Sequence, residues 1–211
     1  FEKNFYKQFK LWKVTTKPTN EAWINPWLNF LKQKGVSIHY NHELQKIVHL
    51  NNKIKHLLIN NQKIIADEYC ICINPYNMMK VLEISNLPKL YEQHEKISVI
   101  NNQISFRIGF SKKLNLLKKG YILVDTPYYI SFYPQDEYFE DVDLGMDGKI
   151  KTLISGTINQ IYKSGTLYNK SATSLNRRKL MKEVVHQIFE SKEFMLLIPE
   201  TTKKDIIYAE I

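Results

Sequence analysis

Two asparagine pairs decide most of what the first half of this chain can fold into. Asn51-Asn52, followed by Lys53, and Asn60-Asn61 separate three β-prone runs. The first opens at Leu44 and carries Ile47, Val48 and Leu50, the second spans Ile54 to Ile59, and the third spans Lys63 to Ala66. Asparagine tolerates left-handed backbone and can hydrogen-bond its own main chain, so links this short between such runs are turns. A meander of two or three antiparallel strands is therefore expected here.

Before the meander, Asn25-Pro26 reads as a helix start, because Asn caps well and Pro suits the first helical position. Trp27, Leu28, Phe30 and Leu31 give that helix a broad apolar face through Lys34, and Gly35 supplies a left-handed stop. Val36, Ile38 and Tyr40 alternate as a short strand, broken by Asn41-His42. After the meander, Tyr69-Cys70-Ile71-Cys72-Ile73 is an unbroken apolar run, the pattern of a strand buried on both faces of a parallel sheet. Asn74-Pro75 ends it, and a helix follows from Tyr76 to Glu83.

The second half reads differently. Ile104, Phe106, Ile108 and Phe110 alternate within Gln103 to Phe110, as in a half-solvated sheet. Further strands are expected at Ile122 to Val124, Ile130 to Tyr133 and Leu153 to Thr157. The acidic, glycine-bearing stretch from Gln135 to Gly148 reads as a long loop. Leu180, Val184 and Ile188, with Met181, Val185 and Phe189 beside them, form the clearest helical stripe. The fold class is thus α/β and α+β in two parts, with a seam near residue 85.

Composition narrows the function. At 211 residues, 44% apolar and 24% charged, the chain is an ordinary globular sequence with room for a sizeable core. No apolar run reaches the roughly 18 residues that a membrane-spanning helix needs. The net charge is +9, yet arginine occurs only at Arg107, Arg177 and Arg178. The remaining basic residues are lysines scattered in ones and twos, and lysine, asparagine and isoleucine together reflect an AT-rich coding bias. Nucleic-acid sites cluster arginine for bidentate contacts, so the charge reads as a solvated surface, with no specific nucleic-acid partner. The chain opens on Phe1 and has no signal-peptide pattern, so an interior or processed piece of an intracellular protein is expected.

Site motifs are sparse. There is no glycine-rich phosphate loop, metalloprotease helix or nucleophile elbow. The histidines, His39, His42, His49, His56, His94 and His186, have no convincing metal-ligand spacing, and no metal site is expected. Cys70 and Cys72 share a strand face and read as small buried hydrophobes. Trp12, Trp23 and Trp27 suit either a pocket or a core.

One longer arrangement resembles a known family. It begins at Pro18-Thr19-Asn20-Glu21-Ala22-Trp23, passes through the helix to Gly35-Val36-Ser37-Ile38, and continues as Asn41-His42-Glu43-Leu44-Gln45-Lys46-Ile47 and a hairpin. It closes with Ile65-Ala66-Asp67-Glu68-Tyr69-Cys70-Ile71-Cys72-Ile73-Asn74-Pro75. This order resembles the middle of the flavin-containing amine oxidase and phytoene desaturase superfamily, and Gln103 to Phe110 with Lys112-Lys113-Leu114 resembles the strand that opens its substrate domain.

The resemblance implies part of an FAD-binding Rossmann-like domain with its β-meander over residues 1–85. An antiparallel-sheet substrate domain with helices, and the start of a return to the FAD domain, would then fill residues 86–211. It implies FAD as cofactor, bound through Glu43 and Leu44 at the adenine and through Asn74 and Pro75 at a close-approach corner. A small, apolar substrate would pass a hydride to the flavin, touching Phe106, Ile108, Tyr129 and Phe132, with no protein residue singled out as catalytic. Departures accompany it. Ile73 replaces an alanine of the pattern, Ser105 stands where the amine-oxidising branch carries lysine, and the glycine-rich phosphate loop and the C-terminal flavin-contacting Gly-Asp segment are both absent, so this stretch alone is expected neither to hold FAD nor to be active. Ser105 favours the desaturase-like branch. Ile73 and the absent loop favour an alternative, a non-catalytic relative that keeps the fold without the flavin.

Overall fold

The structure, a computed structural model, describes residues 14–51, 53–97 and 102–211. It is an α+β protein whose sheets are antiparallel throughout the described residues. The chain divides into two compact units, Phe1–Phe30 with Asn101–Ile211, and Leu31–Ile100.

The smaller unit is built on the asparagine turns. Strands β1 (Leu44–Leu50), β2 (Lys53–Ile59) and β3 (Gln62–Ile64) form a meander in sequence order. Asn51, Asn60 and Asn61 all hold positive φ, as tight antiparallel links demand; Asn52 lies outside the described residues. Ile47 and Leu57 from the meander pack with Val81 and Leu82 of α2 (Pro75–Ile84) to make a small core. Ser85, just past α2, ties the helix to the strand. Its buried Oγ accepts from the Ile47 N–H at 2.8 Å and donates to the Val81 carbonyl at 2.5 Å, while its own carbonyl meets His49 Nε2 at 3.1 Å. A further helix that sequence reading missed, α3 (Pro88–Glu95), follows Leu87, and Tyr91 and Leu87 join the same core. The unit therefore extends past the seam expected near residue 85 and ends at residue 100.

Before the smaller unit comes α1 (Asn25–Gln33), preceded by one π-helical turn, Asn20–Ile24. Asn25 is already helical, at φ −63° and ψ −45°, so it does not cap the helix as expected. The turn N-terminal to it supplies the start instead. Trp23 and Trp27 are exposed, so neither belongs to a core; Trp12 lies outside the described residues. Gly35 ends the helix as expected, at φ +81°, with the Val36 N–H returning to the Leu31 carbonyl at 3.1 Å.

Two expected strands are absent. Val36 to Tyr40 and Tyr69 to Ile73 carry strand-like residues but lie in no ladder. A β-prone run becomes a strand only when a neighbouring strand takes up its N–H and C=O groups in register, and among the described residues no strand pairs with either run. Cys70 and Cys72 are accordingly exposed rather than buried, with their Sγ atoms 3.5 Å apart on the shared side.

The larger unit is a five-stranded sheet in the order β5-β6-β7-β4-β8. Its strands are β4 (Ile104–Phe110), β5 (Tyr121–Leu123), β6 (Ile130–Pro134), β7 (Thr152–Ile158) and β8 (Ile206–Glu210). Phe106, Ile108 and Phe110 alternate onto one face, where Leu180, Val184 and Ile188 of α4 (Arg177–Glu190) and Phe194 of α5 (Lys192–Leu197) complete the main core. Asp125 caps α5 across the fold, accepting from Ser191 Oγ at 2.7 Å and the Lys192 N–H at 2.8 Å. The 135–148 stretch is irregular as expected, beginning with a short 3-10 turn at Gln135–Glu137.

Candidate functional site

Alternation along a strand sends every second side chain to the opposite face. With Phe106, Ile108 and Phe110 committed to the core, Ser105, Arg107 and Gly109 of β4 point the other way. The register sets Arg107 opposite Ser155 of β7 and Glu210 of β8, and Gly109 opposite Leu153 and Tyr208. These residues share the second face of the sheet.

A cavity of about 380 Å³ opens on that face, lined among others by Arg107, Gln135, Leu153, Phe139 and Asp143, with Thr19 and Asn20 from the segment before α1. A neighbouring hollow of about 210 Å³ shares Arg107, Leu144 and Leu153 and adds Tyr208. The larger of the two has the volume of a small-ligand pocket, at the lower end of the range. Loop 135–148 forms one wall, and two of its acidic residues, Asp136 and Asp143, are put to structural use. Asp136 takes Lys113 Nζ at 2.5 Å and the Leu153 N–H at 3.1 Å, while Asp143 Oδ1 accepts from the N–H groups of Gly145 and Gly148 at 2.8 and 3.1 Å.

Arg107 is the cation at the junction of the two hollows, and among the described residues no carboxylate pairs with it. Glu210, its partner in register, accepts instead from the Tyr208 hydroxyl. That hydrogen bond, then burial and the Glu210 charge, hold the Tyr208 phenol above its ordinary value, and the Arg107 charge pulls partly against them.

The side chains expected to touch substrate lie elsewhere. Phe106, Ile108 and Phe132 are 2%, 0% and 2% exposed and belong to the core beneath the helices. The sequence showed which residues alternate but not which set meets the helices, and the larger apolar set took that side. Tyr129 is half exposed at the β6 turn, with φ +49°. Arg107 was in view as one of three arginines, and its place among apolar neighbours of alternating sense was the available signal.

In the smaller unit, Glu43 is exposed and both of its backbone groups are engaged by Asn60, whose Oδ1 accepts from the Glu43 N–H at 3.0 Å and whose N–H reaches the Glu43 carbonyl at 3.2 Å. Leu44 packs on the small core, as do Tyr69, Ile71 and Met78. Asn74 caps α2, its Oδ1 accepting from the Asn77 N–H at 2.9 Å, and Pro75 opens that helix. The start of β1 and the first turn of α2 thus attach to one core while Glu43 and Asn74 remain at the surface. The backbone N–H and C=O of Glu43 are thus both already taken, by Asn60 of the neighbouring turn.

Among the described residues, no group of three or more His, Cys, Asp or Glu side chains is placed to hold a metal ion, and no helix is long and apolar enough to cross a membrane. In comparisons with known proteins, no family model matches this chain and no curated protein matches it.

Proposed function

We propose that this chain is the central portion of an FAD-dependent oxidoreductase of desaturase-like or amine-oxidase-like character, acting on a small organic substrate. The observation that carries the reading is the order of the pieces. A helix stopped by glycine, a hairpin-linked meander, an apolar segment outside any ladder and an Asn-capped helix precede an antiparallel sheet that is covered on one face and hollowed on the other. The resemblance in the sequence expects that order.

FAD, when bound, supplies the hydride-accepting ring system, and the protein supplies orientation and shielding from water. In this reading the adenine edge takes the place of Asn60 at the Glu43 backbone beside Leu44, and Asn74 and Pro75 form a corner that lets a flat group approach closely. In the larger unit, the second face of the sheet holds the substrate against Leu153 and Phe139. No side chain here needs to act as a general acid or base for hydride transfer.

A second reading, a non-catalytic relative without flavin, is favoured by the occupation of both Glu43 backbone groups by Asn60. The visible spectrum separates the two. The intact protein, purified and then supplied with FAD and freed of excess, should retain flavin absorption. A protein that emerges colourless from that treatment supports the second reading and ends the first.

A further inference from the structure

We infer that the cavity above Arg107 is a site for a small mono-carboxylate with an apolar body, and that Arg107 is the residue that selects its charge. The inference rests on the reading of this sheet face as the substrate face, and deepens it by naming the substrate class.

Three observations converge. First, Arg107 lines both hollows and has no carboxylate partner among the described residues, although Glu210 lies directly across from it in the ladder. Glu210 is held instead by the Tyr208 hydroxyl. A guanidinium presents a planar fork of donors matched to a carboxylate, and no carboxylate among the described residues takes that fork. Second, the walls are of mixed character. Phe139, Val142, Leu144 and Leu153 provide an apolar lining, and Gln135 and Asn20 provide amides that hydrogen-bond without adding charge. An apolar pocket with a few convergent polar groups is the usual form of a small-molecule site. Third, the carboxylate of Asp143 lines the same cavity, its Oδ1 already held by two backbone N–H groups. A second negative charge on the ligand would meet it, so the ligand carries one carboxylate and not two.

The arrangement is built into the sheet. Arg107 stands in the middle of β4, paired on both sides, by β7 and by β8, so its Cα position is fixed by two ladders. Sites placed on strands hold their side chains more closely than sites on loops.

Hydrocinnamate and its uncharged amide, hydrocinnamide, form a matched pair of probes. Binding to the full chain is measured by calorimetry or ligand-observed magnetic resonance, with no flavin added. The acid should bind about tenfold or more tightly than the amide, the difference expected of a hydrogen bond to a charged group. R107Q should abolish the preference for the acid over the amide, while R107K, which keeps the charge without the fork, should fall between. Arg107 is exposed, so both variants should keep the parent melting temperature; were R107Q to unfold, R107K carries the same comparison. Equal binding of acid and amide, or full acid binding by either variant, overturns the inference. Because no flavin takes part, loss of charge selection counts against this site alone, and a colourless intact protein counts against the flavin reading alone.

Discussion

Replacing Glu183 by alanine is expected to destabilise the larger unit by about 3 kcal/mol. Glu183 is 0% exposed, yet it is a carboxylate. Its two oxygens accept from the N–H groups of Thr166, Leu167 and Tyr168 at 2.8 to 3.1 Å, and from Gln187 Nε2 at 2.8 Å. Gln187 in turn accepts from the Tyr128 N–H at 3.1 Å, and the Tyr128 hydroxyl donates to the Lys170 carbonyl at 2.9 Å. One carboxylate therefore ties the 165–170 loop to α4 and to the turn before β6. Removing it strands three backbone donors and an amide, each costing about 1–3 kcal/mol if left without a partner, partly relieved where water enters.

The charge of that carboxylate adds a pH signature. Burial pushes the Glu183 carboxyl upward, but the hydrogen bonds from Gln187, Leu167, Tyr168 and Thr166 outweigh it and hold the group below its ordinary 4.5. A carboxyl whose folded value is depressed stabilises the fold above its unfolded value, and that stability is lost as pH falls through the folded one. The parent protein should therefore lose stability on acidification below about pH 4.5, and E183Q should lack that component. The same buried charge, behind burial itself, raises the Tyr128 phenol to about 12. Thermal melts of parent, E183A and E183Q across acidic pH test this. A loss under about 1 kcal/mol in E183A would mean that the loop is held by something else.

Gly156→Ala carries a comparable penalty for a different reason. Gly156 lies in β7 on the helix-facing side, between Phe106 of β4 and Phe132 of β6 in the register. A Cβ there would come within 2.2 Å of Phe106 Cζ and 2.7 Å of the Ser131 carbonyl oxygen. The phenyl ring fills the space a side chain would need, and the carbonyl belongs to a paired strand that cannot withdraw. Overpacking of this kind costs about 1–3 kcal/mol, and the backbone contact places G156A at the upper end. Phe106→Leu vacates the ring position, so the G156A/F106L double variant should be more stable than the sum of the two single losses predicts. Simple additivity in denaturant unfolding would show that the ring is not the obstacle.

Particular residues show how far the sequence reached. The asparagine turns, the alternation of β4, the Leu180–Val184–Ile188 stripe and the glycine stop at Gly35 were all legible, because each is set by local backbone preference or by side-chain period. Tyr69 to Ile73 misled because an apolar run states what a segment could bury, whereas strand pairing depends on partners distant in sequence. The same gap hid which face of β4 meets the helices, and with it the place of Arg107. Glu183 and Gln187 carried a readable signal: they fall three and seven residues after Leu180, within the apolar stripe itself. Polar residues at core-facing positions of a helix are either errors of periodicity or members of a buried network, and here they form the network.

The central claim is that the start of β1 and the corner before α2 receive the adenine end of a dinucleotide. Amide resonance shifts of the intact protein, followed while FAD is added, test it residue by residue. The account predicts saturable shifts at Glu43, Leu44 and Asn74, together with Asn60 as it gives up the Glu43 backbone. Unmoved resonances at these four positions under excess FAD would contradict it.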